Sequence, residues 1–156
     1  MTIKIPPAGT RGINLRGWPV IRSLMGLFTA LYQRSGGRIS ALPFPVLALT
    51  TVGARTGRER STLLGRFVDQ EGRWLIVASL AGAARHPAWL INLARNPDHV
   101  WVQIRGQRFK VKPEVLRGDE RAAAWKRIVG TAPQFGRYQE LTDREIPVVR
   151  LTREAP

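Results

Sequence analysis

Between residues 46 and 62 the chain reads V-L-A-L-T-T-V-G-A-R-T-G-R-E-R-S-T, and this stretch constrains the fold most. An apolar run at Val46, Leu47, Ala48 and Leu49 enters a polar turn at Thr50 and Thr51. The turn carries Gly53 and Gly57, and apolar character resumes at Leu63 and Leu64. Such a pattern predicts a strand, a glycine-permitted loop and a second strand. The loop gathers Arg55, Arg58 and Arg60 with the hydroxyls of Ser61 and Thr62. Cations and hydroxyl and backbone donors so concentrated suit an anion, above all a phosphate.

The patterning beyond residue 62 extends this hairpin into a sheet. Residues 61–68 continue the second strand, with a turn at 69–72. Residues 73–80, R-W-L-I-V-A-S-L, form a nearly continuous apolar run, which predicts a third strand buried on both faces. Ala81, Gly82, Ala83 and Ala84 follow as a small-residue loop that lets another group approach the backbone closely. His99, Trp101, Gln103 and Arg105 alternate with Val100, Val102 and Ile104. The chain then turns at Gly106 and Gln107 and returns through 108–116, a hairpin signal. Residues 146–151 make a last strand.

Helices are expected at 18–34, 87–94 and 119–129, with a loop or short helix at 133–141. In the first, Ile21, Leu24, Met25, Phe28, Leu31 and Tyr32 recur at helical spacing, and this stripe is expected to pack on the core. Pro87 suits the first turn of the second helix and Asn96-Pro97 its end. Residues 42–45, with Pro43 and Pro45, read as an extended connector. Strands in hairpins with few crossover helices give the fold class α+β, mainly antiparallel β, a barrel rather than a doubly wound sheet. A single domain is expected over 18–156, including an N-terminal helix at 18–35. A flexible basic arm at 1–17, with Pro6, Pro7, Gly9, Gly12 and Gly17, precedes it.

A chain of 156 residues with 44% apolar residues can bury one real core. The absence of cysteine excludes disulfides, thiolate metal sites and a cysteine nucleophile, and His86 and His99 are too few for a multi-histidine metal centre. The net charge of +14 attracts polyanions: nucleic acid, an anionic membrane surface or an anionic cofactor. No secretory signal is visible, and the longest apolar stretch, 24–32, is too short to span a bilayer. A cytoplasmic location is expected. A helix lying on a membrane is the alternative for residues 18–34, given Arg11, Arg16, Arg22, Arg34 and Arg38 nearby. No recognised nucleic-acid-binding module is present.

Catalytic templates fail in turn. The chain has no G-x-G-x-x-G after a strand, no P-loop lysine and no G-x-S-x-G elbow. His86, just before Pro87, suits a positioning role better than catalysis. The pattern fits a cofactor that carries the reaction while the protein orients it.

Three ordered motifs carry a resemblance. They are L-T-T-V-G-A-R-T-G-R-E-R-S-T, V-A-S-L-A-G-A-A-R-H-P-A-W-L-I-N-L-A-R-N-P and Y-Q-E-L-T-D-R-E-I-P-V-V. Over residues 34–151 the chain resembles the deazaflavin-dependent nitroreductase family of actinobacteria. That resemblance implies a split β-barrel, similar to flavin reductases, with flanking helices. It also implies coenzyme F-420, an 8-hydroxy-5-deazaflavin with an acidic tail. By the resemblance, Arg55 and Arg60, followed by Ser61 and Thr62, hold the phosphate and tail. Ala78, Ser79, Gly82 and Ala83 line the ring and its side chain, and Trp89 and Asn92 stand beside the cofactor. Leu80 departs from the family, whose members often carry a basic residue there. Ala132, Phe135 and Tyr138 occupy a segment that is tyrosine-rich in nitroimidazole-reducing members.

The expected function is an oxidoreductase in which reduced deazaflavin delivers a hydride to an activated double bond, quinone or nitro group. Trp18, Phe135 and Tyr138 would form the substrate pocket, with Tyr138 or water as proton donor. The alternatives are an FMN-dependent reductase and a non-catalytic lipid- or membrane-binding barrel. The expected partners are a small-molecule hydride acceptor and no metal.

Overall fold

The computed structural model describes residues 2–38 and 44–155. The expected connector at 42–45 therefore lies partly outside the described residues. The elements run α1 (Trp18–Arg34), β1 (Val46–Val52), β2 (Glu59–Gly65), β3 (Phe67–Val68), β4 (Trp74–Val77), α2 (Ala88–Arg95), β5 (Trp101–Ile104), β6 (Gln107–Val115), α3 (Gly118–Thr131), α4 (Gln134–Leu141) and β7 (Val148–Arg153). The strands form a seven-stranded sheet in the order β2-β1-β5-β6-β7-β4-β3, and each pairing is antiparallel. The sheet curls until β2 comes into contact with β4. Strand β6 makes the corner: residues 107–110 pair with β5 and 111–115 with β7. This is the α+β, split-barrel architecture that the sequence implied.

Strand alternation assigns each side chain to one of three cores. Leu47, Leu49, Ile76, Leu90, Leu93, Val102 and Val149 fill the inside of the curl. Leu75 and Val77 face the other way, onto Ile128 and Phe135 of α3 and α4. Strand β4 is thus buried on both faces, as its apolar run predicted. It ends at Val77 rather than at residue 80, because the chain then turns sharply through a 3-10 turn, Leu80–Gly82. Val46, Ala48 and Leu63 lie on the outer face of β1 and β2, beneath Tyr32 of α1.

Helix α1 corrects the sequence reading. Thr29 and Tyr32 are its buried residues. Val20, Ile21, Leu24, Leu27 and Leu31 are solvent-exposed, Val20 at 66% and Leu27 at 55%. The helix lies on the outer face of the terminal strand β2, where one narrow line of contact suffices. Thr29 Oγ1 accepts from Leu63 N at 3.2 Å and so occupies one donor of that edge strand. Periodicity correctly gave the helix but could not say that, among the described residues, most of its apolar stripe is left exposed.

The arm also departs from expectation. Residues 3–13 lack regular structure yet are tied down at several points. Ile3 N donates to Ala94 O at 2.8 Å, Gly9 N to Ala84 O at 2.8 Å and Ile13 N to Gly82 O at 3.2 Å. Ile3 and Ile5 pack on the core inside the curl. Glycine and proline content suggested a frayed end, whereas the partners that hold this strap are far away in sequence. No helix among the described residues is long and apolar enough to cross a membrane.

Candidate active site

Strands β1, β4 and β6 run in the same sense around the curl, so the loop after β1 and the turn after β4 open on one rim. The Arg105-Gly106 hairpin turn lies on the opposite rim. A recess of ≈ 700 Å³ occurs beside that turn, lined by Arg34, Gly37, Arg38 and Arg105, and none of the motif residues reaches it.

The loop at 53–58 is closed by its own backbone. Gly53 N donates to Arg58 O at 2.8 Å and Gly57 N to Gly53 O at 2.9 Å. Gly57 has φ +68°, and a side chain at Gly53 would meet Thr56 Oγ1 at 2.5 Å. Helix α2 then clamps the loop. Asn92 Oδ1 accepts from Ala54 N at 2.9 Å, Asn92 Nδ2 lies 3.5 Å from Thr51 Oγ1, and Asn96 Nδ2 donates to Val52 O at 3.2 Å. The Asn92 amide, expected beside a ligand, is thus committed to the loop backbone. Trp89 is half-buried against the inner core. Arg55, Arg58 and Arg60 are exposed, and among the described residues none of them forms an ion pair. Arg73, Arg108, Arg121 and Arg150 all do. Ser61 and Thr62 point to opposite faces. Ser61 Oγ bonds Thr50 Oγ1 at 2.7 Å on the outer face, while Thr62 shares the inner face with Arg60. The sequence had grouped both hydroxyls in one site, and strand alternation separates them.

The turn after β4 is built around Arg144, which is 2% exposed. Its Nη1 donates to Ala78 O at 3.0 Å, Nη2 to Ser79 O at 2.7 Å and Nε to Ala83 O at 2.8 Å. Nη1 also lies 3.2 Å from His86 Nδ1, which must accept, so the His86 proton resides on Nε2 and is given to Pro6 O at 2.7 Å. Burial pushes the Arg144 guanidinium below its ordinary value. Burial first, and the Arg144 charge second, push His86 below its ordinary range. Next to Arg144, Asp143 ties down the strap. Its Oδ1 accepts from Thr10 N at 2.8 Å and Arg11 N at 2.9 Å, and its Oδ2 from Thr10 Oγ1 at 2.5 Å. These bonds, the Thr10 hydroxyl foremost, hold the Asp143 carboxyl down to about 2. Sequence reasoning gave no role to Asp143 or Arg144. The signal was present in the T-D-R motif it quoted.

Helix α4 packs on the same turn. A side chain at Gly82, which has φ +87°, would meet Tyr138 O at 2.9 Å and Leu141 Cβ at 3.1 Å. Phe135 does not line an open pocket. It is buried in the outer core, edge-on to Phe67 at 5.7 Å and to Tyr138 at 5.6 Å. Tyr138 is half-buried beside it. Trp18 begins α1, five residues after Ile13 has bonded Gly82. Among the described residues no cluster of three or more His, Asp or Glu could hold a metal ion.

Comparison with known proteins shows the family. The profile of the F-420H(2)-dependent quinone reductase family matches residues 24–153. An F-420H(2)-dependent quinone reductase of Mycobacterium tuberculosis is 39% identical over 137 residues, covering 83% of this chain and 90% of that protein. A solved structure described as an F-420-H2-dependent reductase is 36% identical with a TM-score of 0.62, covering 72% of this chain and 98% of that one. Another, described as a domain-swapped dimer, is 32% identical with a TM-score of 0.63, covering 88% and 99%.

Proposed function

The chain belongs to the F-420H(2)-dependent quinone reductase family and is an F-420-dependent oxidoreductase, and from that premise we propose that it reduces a quinone or a similarly electron-poor flat acceptor at the rim between the 53–58 loop and the 79–83 turn. When bound, the deazaflavin would supply a hydride, one proton with two electrons, to the acceptor. A proton from Tyr138 or water would complete the two-electron, two-proton reduction of the acceptor.

The observation that carries the assignment is the set of free guanidinium groups on a pinned loop. Among the described residues Arg55, Arg58 and Arg60 have no carboxylate partner, while Asn92 and Asn96 fix the backbone that bears them. An acidic tail and phosphate fit that donor set, and each well-formed contact contributes about 1.5–3 kcal/mol. Helix α2 links the tail loop to the other half of the site: its end clamps residues 51–54 and its start adjoins His86. Eight residues of helix span about 12 Å, a separation that suits a ring and a tail of one molecule. Thr62 joins Arg55 and Arg60 on the tail side, with Ser61 acting through Thr50. The accessible side of the 79–81 turn receives the ring, with Ala78, Gly82 and Ala83, all buried, backing it from within the fold and Trp89 on the neighbouring helix. Tyr138 and Trp18 flank the open face.

Fluorescence titration with oxidised and reduced deazaflavin tests this. Binding at low micromolar concentration or tighter, about −8 kcal/mol, is expected, with FMN failing to compete. Charge reversal of Arg55 and Arg60 to Glu should abolish binding in a folded protein. Unchanged affinity in that variant would remove the tail site from this loop.

A second reading concerns α1. Its exposed Val20, Ile21, Leu24, Leu27 and Leu31 are accompanied by Arg11, Arg16, Arg22 and Arg34, and no acidic residue precedes Glu59. An apolar stripe flanked by cations suits the surface of an anionic bilayer, where a lipid-soluble quinone resides. Co-sedimentation with vesicles containing phosphatidylglycerol should occur, and replacing Leu24 and Leu27 by Asn should abolish it. A dimer in solution with no vesicle binding would instead give the stripe to a second copy.

A further inference from the structure

The turn after β4 holds three successive residues in the left-handed region: Leu80 at φ 42°, Ala81 at 53° and Gly82 at 87°. Glycine takes that conformation freely, but Leu and Ala do not. A backbone of this kind persists only where its surroundings over-determine it. Inside the turn, Gly82 N donates to Ser79 O at 2.9 Å and Ala83 N to Leu80 O at 3.0 Å. Both ends are then gripped by one planar guanidinium, that of Arg144, which takes the carbonyls of Ala78, Ser79 and Ala83. Among the described residues no carboxylate pairs with it. A buried guanidinium ordinarily offsets its desolvation with a carboxylate. Arg144 spends its donors instead on the backbone of a single turn and on His86 Nδ1. Its own backbone is fixed in turn, since Gln139 Nε2 donates to Arg144 O at 2.7 Å and Gln139 Oε1 accepts from Ile146 N at 3.0 Å.

We propose that Arg144 is the positioning residue of the ring-binding turn: it holds residues 78–83 in their left-handed shape before the cofactor arrives, so that the ring meets a preformed backbone surface. This rests on the assignment of that turn to the ring. The planar fork is the working part, so lysine cannot replace it: one ammonium cannot reach three carbonyls in a fixed plane. Preformation means that the ordering cost of the turn is met in folding rather than on binding.

Two variants and two probes test it. In the ligand-free protein, Arg144→Lys should raise amide exchange at residues 80–83 by about tenfold or more, the factor carried by one charge-assisted hydrogen bond, with β1 and β5 still protected. In titrations, Arg144→Lys should lose the same factor of affinity for a deazaflavin lacking the anionic tail as for the full cofactor. Arg55→Glu should weaken the full cofactor alone. A merely destabilised fold would show no such split. Should Arg144→Lys not fold, His86→Ala, which removes one acceptor of Arg144 and leaves the arginine in place, should loosen the same amides to a smaller extent. Wild-type exchange at 80–83 in the folded variant overturns the proposal. So does equal loss of β-strand protection, or wild-type affinity for the tail-less ring. If wild-type protein binds no deazaflavin, the ring assignment fails, and the exchange measurement still judges Arg144.

Discussion

Asn92 offers the sharpest separation of positioning from contact. Its Oδ1 accepts from Ala54 N at 2.9 Å, whereas its Nδ2 is 3.5 Å from Thr51 Oγ1, too long to contribute much. Replacing Asn92 by Ala removes one good hydrogen bond and leaves a half-buried N–H that water reaches only in part. The net loss is about 1–2 kcal/mol, which for a chain of this size lowers the melting temperature by about 3–6 °C. The loop would then be ordered by the ligand instead of by α2. That ordering cost moves to the binding step, and cofactor affinity should fall by about five- to thirtyfold, since fixing one residue's backbone costs about 1–2 kcal/mol. Asn92→Asp separates the two effects. Its carboxylate still accepts from Ala54 N, so the melting temperature should drop less than in the alanine variant. It also places a negative charge beside Arg55, Arg58 and Arg60, so affinity should drop more. Thermal unfolding and fluorescence titration on the same preparations give both numbers. If the aspartate variant binds the anionic cofactor as well as wild type, or the alanine variant melts unchanged, the clamp is not what holds this loop.

Other outcomes follow from single sites. Gly82→Ala places a Cβ 2.9 Å from Tyr138 O at φ +87°, and should cost about 2–3 kcal/mol in chemical denaturation; an unchanged midpoint refutes the packing of α4 on the turn. The folded-state value of Asp143, depressed to about 2, makes its grip on Thr10 and Arg11 complete above the ordinary carboxylate range and lost as pH falls through about 2. Protection of the Thr10 and Arg11 amides from exchange should therefore be pH-independent between about 5 and 8, and Asp143→Ala should abolish it throughout. His86 is depressed from its ordinary 6.5, so the folded state favours the neutral ring. Its contribution is present above that value and declines as pH falls below it, and His86→Gln should flatten this part of the stability profile. Raising salt should weaken cofactor binding by screening the loop arginines, yet leave the melting temperature unchanged or raised, because the repulsion of a +14 chain is screened as well; parallel loss of both would refute that separation.

Much of the fold was legible because it is local. The two glycines of the 53–58 loop, the alternation over 99–105 and the uninterrupted apolar run of β4 each report the environment of their own residues. What escaped is written in pairs distant in sequence. Strand β4 stops at Val77 because Arg144, more than sixty residues later, captures the carbonyls that would have extended it. Asn92 resembled a ligand contact because its partner, the amide of Ala54, cannot be inferred from either segment alone. The apolar stripe of α1 has the period of a core helix, and period says nothing of what the stripe faces. The strap over 3–13 has the composition of a loose end, and its anchors are carbonyls at Gly82, Ala84 and Ala94 and the Asp143 carboxylate.

The basic residues reveal how charge is allotted between folding and binding. Twenty-five cations meet eleven carboxylates, so most must remain without an ion-pair partner. The carboxylates of the ion pairs, among them Asp69, Glu114, Glu120 and Glu145, are spent on Arg73, Arg121 and Arg150 around the outer core. Arg144 is satisfied by backbone oxygens and needs no acid. With no acid before Glu59, cations gather along α1 and in the 53–58 loop, while Arg34, Arg38 and Arg105 line the opposite rim. Net charge by itself permits nucleic acid, lipid or cofactor as partner. What distinguishes the 53–58 loop is that Asn92 and Asn96 have already fixed the backbone that bears its guanidinium groups, which have no acid partner among the described residues. A rigid, uncompensated cationic loop is costly to the fold through self-repulsion, and that cost is recovered only when an anion binds there.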